Sequence, residues 1–422
     1  FRRRKVARLQ PVRGTHDILG EMSLRFRTIF EIFRSVAERY SHEQIDTPIF
    51  EFTETFKKTL GDTSDVVTKE MYTFEDRGGE QVTLRPEFTA GIARAFMSNG
   101  LQQSTPCKFY SFGPTFRYER PQKGRMRQFH QMDIEIIGVA EAQADIEVLA
   151  IAQDLLNELG IAKQVTLELN SLGDRESRMN YRAALVQYFS QHRDKLSKDS
   201  LTRLEKNPMR ILDSKDEGDH LLIEKAPRIS EYYNDTSKVF FSEVREGLEG
   251  LGIDYHIKDR LVRGLDYYCH TAFEFTTDQL GAQGTVLAGG RYDGLVEMMG
   301  GPRTPGVGWA SGMERMAELI TYDIIKKQVR LVAIVPVGDK SHTTAMKIAH
   351  DLRKAGIVVD MAYKGNVGKR MKRANKQNAR FAILIGEDEI VRSVAMVKNL
   401  DKGSQEEISL LKLVDYLKEN KL

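Results

Sequence analysis

Residues Gln128 to Ile137 alternate strictly in character. On a strand, Phe129, Gln131, Asp133 and Glu135 fall on one face, and His130, Met132, Ile134 and Ile136 on the other. The second face must be covered by a core, so this stretch belongs to a sheet with something packed behind it, and a slip of one residue would invert it. Lys108 to Tyr118 reads as a strand too, and the two are joined by ERPQKGRMR. A connection this short makes an antiparallel pair. A sheet with one face in water would explain the polar row alone. The loop alters that weighing. Arg117, Arg120, Lys123, Arg125 and Arg127 surround Gly124, with only Glu119 against them. A solvated loop usually mixes signs; a one-sign loop beside a polar sheet face suits an anion such as phosphate, with carboxylates behind it for a cationic or N–H-bearing group.

The chain has 422 residues, enough for two or three domains at about 150 residues each. From Ser23 to Tyr40, Phe26, Ile29, Phe30, Phe33, Ala37 and Tyr40 recur at three and four, one stripe of an amphipathic helix. A short strand around Gln44 to Phe50, broken by Pro48, suits an edge or interface. QVTLRPEFTAGIARAFM reads as a strand, then Pro86, then a helix. Residues 142–159 form a further amphipathic helix with Gly160 as its stop. Residues 171–240 are charged and helix-prone, and read as an insertion. Strands resume at Tyr267–Thr277 and Thr285–Leu287, followed by LAGGRYDGL and PGVGWASGMERMAELI. After a linker near Tyr322–Gln328, LVAIVPVG, GIVVDMAY, RFAILIG and SVAMVKNL alternate with helical stretches. Residues 328–422 are thus expected to form a separate α/β domain on a mostly parallel sheet, and 1–325 the larger domain.

Several function classes are disfavoured. No segment approaches the roughly 20 apolar residues of a membrane span. Cys107 and Cys269 are the only cysteines, far apart and in no CxxC pattern, which disfavours a disulfide framework or thiolate zinc site and fits a reducing compartment. The net charge of +3 says little about partners. The opening FRRRK reads as a trimmed targeting segment, a phosphate-contacting arm or a solvated terminus, of which the last is preferred.

Four more clusters carry charge or chemistry. Arg85, Glu87 and Thr89 flank a helix start, where a carboxylate also serves as an ordinary cap. In RLVRGLDYYCHTAFEF, Tyr267 and Tyr268 on a strand would face opposite ways, so at most one would line a given site. Arg315 opens a helix behind Gly306, Gly308 and Gly312, whose GxGxxxG spacing is one residue too long for a dinucleotide fingerprint. Finally, Lys364, Lys369, Arg370, Lys372, Arg373, Lys376 and Arg380 have no acidic residue among them, which makes a nucleic-acid contact and a solvated helix face equal readings.

Taken in order, these clusters resemble the class II aminoacyl-tRNA synthetases, and within them the histidyl enzymes, over nearly the whole chain. The helix and Pro48 strand resemble the class's first motif, which builds a dimer interface. FRYERPQKGRMRQF resembles the second, which holds ATP and the tRNA acceptor end, and GVGWASGMERM the third, whose arginine contacts ATP. TLRPE with Thr89, QMDIE and RGLDYY resemble segments of the histidyl enzymes.

The resemblance implies an α+β catalytic domain with a mixed, largely antiparallel sheet, plus a C-terminal α/β anticodon-binding domain. It also implies histidine, ATP and tRNA(His) as substrates, a homodimer, a cytoplasmic location and no membrane partner. Glu87, Thr89 and Gln131 would hold the α-amino group. Glu135 and Tyr268 would read the imidazole, with Tyr267 beside them. Arg117 would bind the carboxylate and α-phosphate region, and Arg263 would stabilise charge at the α-phosphate. Arg125, Phe129 and Arg315 complete the ATP set, and Arg120, Lys123, Lys369, Arg370 and Arg373 the tRNA set. Phe88 stands where the family more often has a small residue, so it is expected at the histidine pocket. Asp133 receives no role. Magnesium would accompany ATP, with no protein-held metal site. A non-catalytic relative of histidine biosynthesis, a tRNA-sensing module and another class II enzyme are the rival readings; the last domain, the arginines, and RGLDYY with QMDIE argue against them in turn.

Overall fold

The computed structural model describes residues 9–60, 66–122, 124–263, 267–325 and 329–420. The FRRRK opening, Lys123, the GLD of RGLDYY and part of the linker lie outside the described residues. The chain divides into two units, one up to residue 325 and one from 326.

The first unit is built on an eight-stranded sheet. Its strands are β1 (Glu43–Gln44), β5 (Cys107–Phe116), β6 (Gln128–Ile137), β7 (Thr166–Ser171), β8 (His256–Ile257), β9 (Cys269–Thr276), β10 (Thr285–Arg291) and β11 (Gly306–Gly312). A side sheet holds β2 (Phe50–Phe52), β3 (Tyr72–Glu75) and β4 (Gln81–Leu84), with α2 (Thr53–Leu60) running on from β2. The large sheet runs β1-β5-β6-β11-β10-β9-β7-β8. Its two edge pairings, β1 with β5 and β7 with β8, are parallel and the rest antiparallel. This is the mixed, largely antiparallel sheet the sequence implied.

The alternation of β6 fixes which face is core. Met132, Ile134 and Ile136 enter one apolar cluster with Ile29, Phe33, Val36 and Ala37 of α1 (Gly20–Arg39) and with α4 (Ala142–Glu158). The other face is not wet. Gln131, Asp133 and Glu135 are 7%, 0% and 1% exposed, so the polar row is a buried floor. It is roofed in part by α3 (Thr89–Ser98) and its approach. Three further helices follow β7 and precede β8: α5 (Arg175–Ser190), α6 (Lys198–Lys206) and α7 (Glu217–Lys225), with α8 (Asp235–Gly250) after them. Two short helices, α9 (Leu295–Met298) and α10 (Met313–Leu319), flank β11. At the end of β10, Arg291 is fully buried against Asp145 of α4; it also donates to the Val139 carbonyl at 2.9 Å and to Asp293 at 3.1 Å.

The Gln44–Phe50 strand expected from sequence is two strands in two sheets, β1 and β2, with Pro48 between them. A proline has no N–H for a ladder, so pairing stops there. Tyr267 and Tyr268 precede β9 rather than belonging to it. The opposite-face constraint therefore does not apply to them.

The second unit holds β12 (Val332–Pro336), β13 (Val359–Met361), β14 (Phe381–Ile385), β15 (Val394–Asn399) and β16 (Gln405–Ser409), in the order β13-β12-β14-β15-β16. Helices α11 (His342–Lys354) and α14 (Leu413–Glu419) pack on one face, and α12 (Val367–Lys376) on the other. The sheet is mixed, not mostly parallel: β13, β12 and β14 are parallel, whereas β15 and β16 pair antiparallel. The β14–β15 connection, residues 386–393, contains only the short helix α13 (Glu387–Val391). A parallel crossover needs a dozen or more residues, so the chain turns back instead. No helix among the described residues is long and apolar enough to cross a membrane.

Candidate active site

A cavity of about 250 Å³ opens over the polar face of β6. A water molecule's share of liquid volume is roughly 30 Å³, so this is room for a ligand rather than for one water. Glu87, Thr89, Arg117, Arg125, Phe129, Gln131, Glu135, Arg263, Tyr267, Tyr268 and Arg315 all line it. They come from β6, α10, α3 and its approach, the loop after β5 and the segment before β9. The sheet gathers positions more than 200 residues apart in sequence into one wall.

One end of the cavity is acidic and closed. The Glu87 carboxylate accepts from the Ala90 N–H at 2.9 Å, capping α3. It is also nearly fully buried, and burial pushes its pKa up. One side chain thus both caps a helix and faces the cavity. Thr89 stands within hydrogen-bonding reach of both Glu87 and Glu135. Glu135 accepts from the Tyr292 hydroxyl. Burial pushes Glu135 up to about 8, and the nearby Glu87 adds to the rise. Opposite Glu135 stands Gly308 on β11, and a Cβ there would lie 1.8 Å from Glu135 Oε2. Only glycine leaves room for this carboxyl. Tyr267 and Tyr268 both face the cavity, their ring centroids 4.6 Å apart.

The other end is cationic. Arg117 donates from Nε to the Pro86 carbonyl at 3.0 Å, and its guanidinium lies 5.3 Å from the Phe129 ring centroid. Arg125 pairs with Glu119. Arg263 pairs with Glu274 of β9, which also accepts from Thr285 at 3.1 Å. Burial works against the Arg263 charge, but Glu274, Tyr268 and Tyr267 together outweigh it and hold the guanidinium above its ordinary pKa. Arg315 donates to the Thr285 carbonyl. Burial lowers the Arg315 pKa, and Arg125 and Arg117 lower it further. Three guanidinium groups repelling one another in a part-buried cleft form a seat that an anion relieves.

The structure departs from the expected site in four places. Phe88 does not line the cavity. Its ring is fully buried in the α3-side core, with the Arg85 guanidinium 4.1 Å from its centroid, so it does not crowd the pocket. Arg370 is 7% exposed and donates to the Pro336 carbonyl, which removes it from any surface contact. Arg373 is exposed but bound in a fork to Asp360, at 2.9 and 3.1 Å, so the basic helix is not without counter-charge. Asp360 stands 13 residues before Arg373, on β13 and just outside the basic stretch. Arg120 and Lys369 are exposed and belong to no described pocket wall, and Lys123 is outside the described residues.

Sequence reasoning missed Tyr292, Glu274, Glu119 and Glu314, which all line the cavity. Tyr292 sat in LAGGRYDGL, read only as a turn. No local signal marks a hydroxyl that meets a carboxyl 157 residues away.

A family model described as "Histidyl-tRNA synthetase" matches residues 14–316, and one described as "Anticodon binding domain" matches residues 331–420. A histidine–tRNA ligase of Rhodospirillum rubrum is 57% identical over 98% of this chain and 99% of its own. That of Gluconacetobacter diazotrophicus is 54% identical over 97% and 98%. The crystal structure of apo S. aureus histidyl-tRNA synthetase superposes with a TM-score of 0.82 at 36% identity, covering 97% of this chain and 99% of that one.

The raised Glu135 has a consequence for stability. Its ordinary pKa of 4.5 applies to the unfolded chain and about 8 to the folded one. Its contribution is fully present below about pH 4.5 and is lost as pH rises through about 8. The ligand-free protein, unfolded in denaturant and followed by Trp309, is expected to lose stability across this window by up to about 1.4 kcal/mol per pH unit for this proton. Glu135→Gln should remove that part of the slope. An unchanged slope in the variant would show that Glu135 titrates normally.

Proposed function

The chain belongs to the histidyl-tRNA synthetase family, and we propose that it carries out the family's two steps with the residues gathered in this cavity. It is an aminoacyl-tRNA ligase. The histidine carboxylate attacks the α-phosphate of ATP to give histidyl-adenylate and pyrophosphate, and the histidyl group then passes to the 3′ end of tRNA(His).

The acidic end receives the amino acid. Glu87, Thr89 and Gln131 face its ammonium group, and Glu135 and Tyr268 its imidazole, with Tyr267 beside them. The cationic end receives the nucleotide. Phe129 offers a ring face for a base, Arg125 and Arg315 meet the phosphates, and Arg117 spans the carboxylate and α-phosphate. Arg263 adds charge where the five-coordinate phosphorus builds negative charge. No protein nucleophile is needed, so catalysis rests on alignment and on fixed positive charge. The observation that carries this reading is the crowding of Arg315 by Arg117 and Arg125 at one end, with carboxyls held up by burial at the other. Magnesium enters with the ATP phosphates.

We assign tRNA contacts to Arg120 and to the exposed α12 cations Lys369 and Arg373, the latter after exchanging Asp360 for phosphate. Two copies of the chain are proposed to meet through the side sheet, where Ile49, Phe50, Phe52 and Phe74 are 44%, 57%, 59% and 48% exposed. An apolar patch of this kind marks an interaction surface. Both cysteines are free and buried, which suits a cytoplasmic location.

Histidine-dependent exchange of pyrophosphate into ATP is expected, and Arg263→Ala should cut it by about a hundredfold or more while the protein stays folded. Exchange near the parental rate would remove Arg263 from the chemistry. Lys369→Glu with Arg373→Glu should weaken tRNA charging and leave exchange within twofold. Equal loss of both would place α12 elsewhere in function. Light scattering should give twice the chain mass of 48.1 kDa, reduced to a single chain by Phe50→Glu with Phe52→Glu. A monomeric parent would refute the dimer.

A further inference from the structure

Asp133 is the member of the β6 row that the reaction does not use. It lies between Gln131 and Glu135 on the same face, yet it is fully buried and does not line the cavity. Neither of its carboxyl oxygens receives a hydrogen bond from any N–H or O–H group. Its cross-strand neighbours are Ser111 on β5 and Ala310 on β11. The Ser111 hydroxyl is turned to the Ile45 carbonyl, and Ala310 has nothing to offer.

The groups facing Asp133 are few. From its own strand comes Glu135, within hydrogen-bonding reach. From the approach to α3 comes Glu87, and from the end of β4 Arg85. Beyond β10 stands Tyr292, whose hydroxyl is already given to Glu135. Arg85 directs Nε to the Pro114 carbonyl at 2.9 Å and Nη1 to the Thr47 carbonyl at 2.7 Å, and reaches Asp133 only through space. A carboxylate with no donor cannot stay ionised in a dry site beside two other carboxyls. A neutral acid must in turn place its O–H on an acceptor, and the acceptor within reach is Glu135.

We propose that Asp133 is a positioning residue for the amino-acid pocket: a neutral carboxylic acid beneath the floor that donates a hydrogen bond to Glu135 and holds it as the acceptor for the substrate's side-chain N–H. The inference rests on the assignment of Glu135 to the imidazole. Burial holds the Glu135 pKa up, and ionising it on binding is costly. A donor from below lowers that cost, because a hydrogen bond to the charged form favours that form. The Asp133 burial and the Glu135 coupling agree: each raises the Asp133 pKa, and the Asp133 hydrogen bond lowers that of Glu135. The polar row thus has a vertical order, with substrate above, Glu135 between and Asp133 below.

The test is the Michaelis constant for histidine in pyrophosphate exchange, measured from pH 6.5 to 9 on the full chain. Asp133→Ala removes the donor. Its histidine KM should rise about tenfold at pH 7 and recover toward the parental value as the pH ionises Glu135, while the KM for ATP stays within twofold. Asp133→Asn keeps an N–H donor at the same place and should restore the histidine KM to within about threefold. An unchanged histidine KM in Asp133→Ala overturns the proposal, as does a loss that Asp133→Asn shares or that no pH relieves. If Asp133→Ala does not fold, Asp133→Asn decides: an N–H donor that leaves the histidine KM tenfold high at every pH overturns it. Absence of histidine-dependent exchange in the parent would sink the pocket assignment and this inference together. Parental exchange with an indifferent Asp133→Ala sinks the inference alone.

Discussion

The pairing of β6 with β11 is the constraint on which the rest depends. It sets Glu135 against Gly308 and leaves a carboxyl filling the space a side chain would take. The same register puts Ile134 opposite Trp309, in the core behind the sheet, where the indole N–H donates to the Val148 carbonyl of α4 at 2.8 Å. The strands are thus pinned from behind by packing and left open in front for chemistry. β11 runs on into α10, which carries Arg315 to the far end of the cavity. One register therefore fixes the distance between the acidic and cationic ends.

Much of this could be read from the sequence, and the reasons are local. The bounds of β6 follow from its alternation residue for residue. The helix from Gly20 to Arg39 follows from its apolar stripe. Most cavity residues sit in segments with a pattern of their own, but Glu119, Glu274 and Glu314 lie in the same segments and no pattern singles them out. What failed was whatever depends on a partner in another element. Glu274 as the counter-ion of Arg263, Tyr292 as the donor to Glu135, and Asp360 as the partner of Arg373 lie 11, 157 and 13 residues away, each on a different element from its partner. Side-chain direction failed in the same way. Phe88 and Arg370 sit in the expected segments but turn inward, because each segment borders a core that takes apolar surface or a carbonyl that takes a donor.

In the ligand-free site, charge is held in pairs. Arg263 with Glu274 and Arg125 with Glu119 are internal ion pairs at the edge of the cavity. Each costs less than an unpaired buried charge, and each leaves the guanidinium near where a phosphate would lie. On the proposed reading, substrate binding is an exchange of anions at fixed cations. The fully buried Arg291–Asp145 pair behind β10 is different in kind, since nothing can reach it to exchange.

On the proposed assignment of Glu135 to the substrate side chain, its burial beneath Tyr292 also sets how such a pocket tells amino acids apart. A cavity lined by hydrocarbon separates two side chains by size, and one methylene is worth roughly 10- to 200-fold. A cavity floored by a dry carboxyl works by debt instead. A side chain of equal size that lacks an N–H leaves the cavity side of that carboxyl without a partner, and sites built to hydrogen-bond a substrate group reject such analogues by about 10⁴ to 10⁵. Fidelity of that order needs no second, hydrolytic site. The fold spends a buried acid where an enzyme for an apolar amino acid would need a proofreading domain.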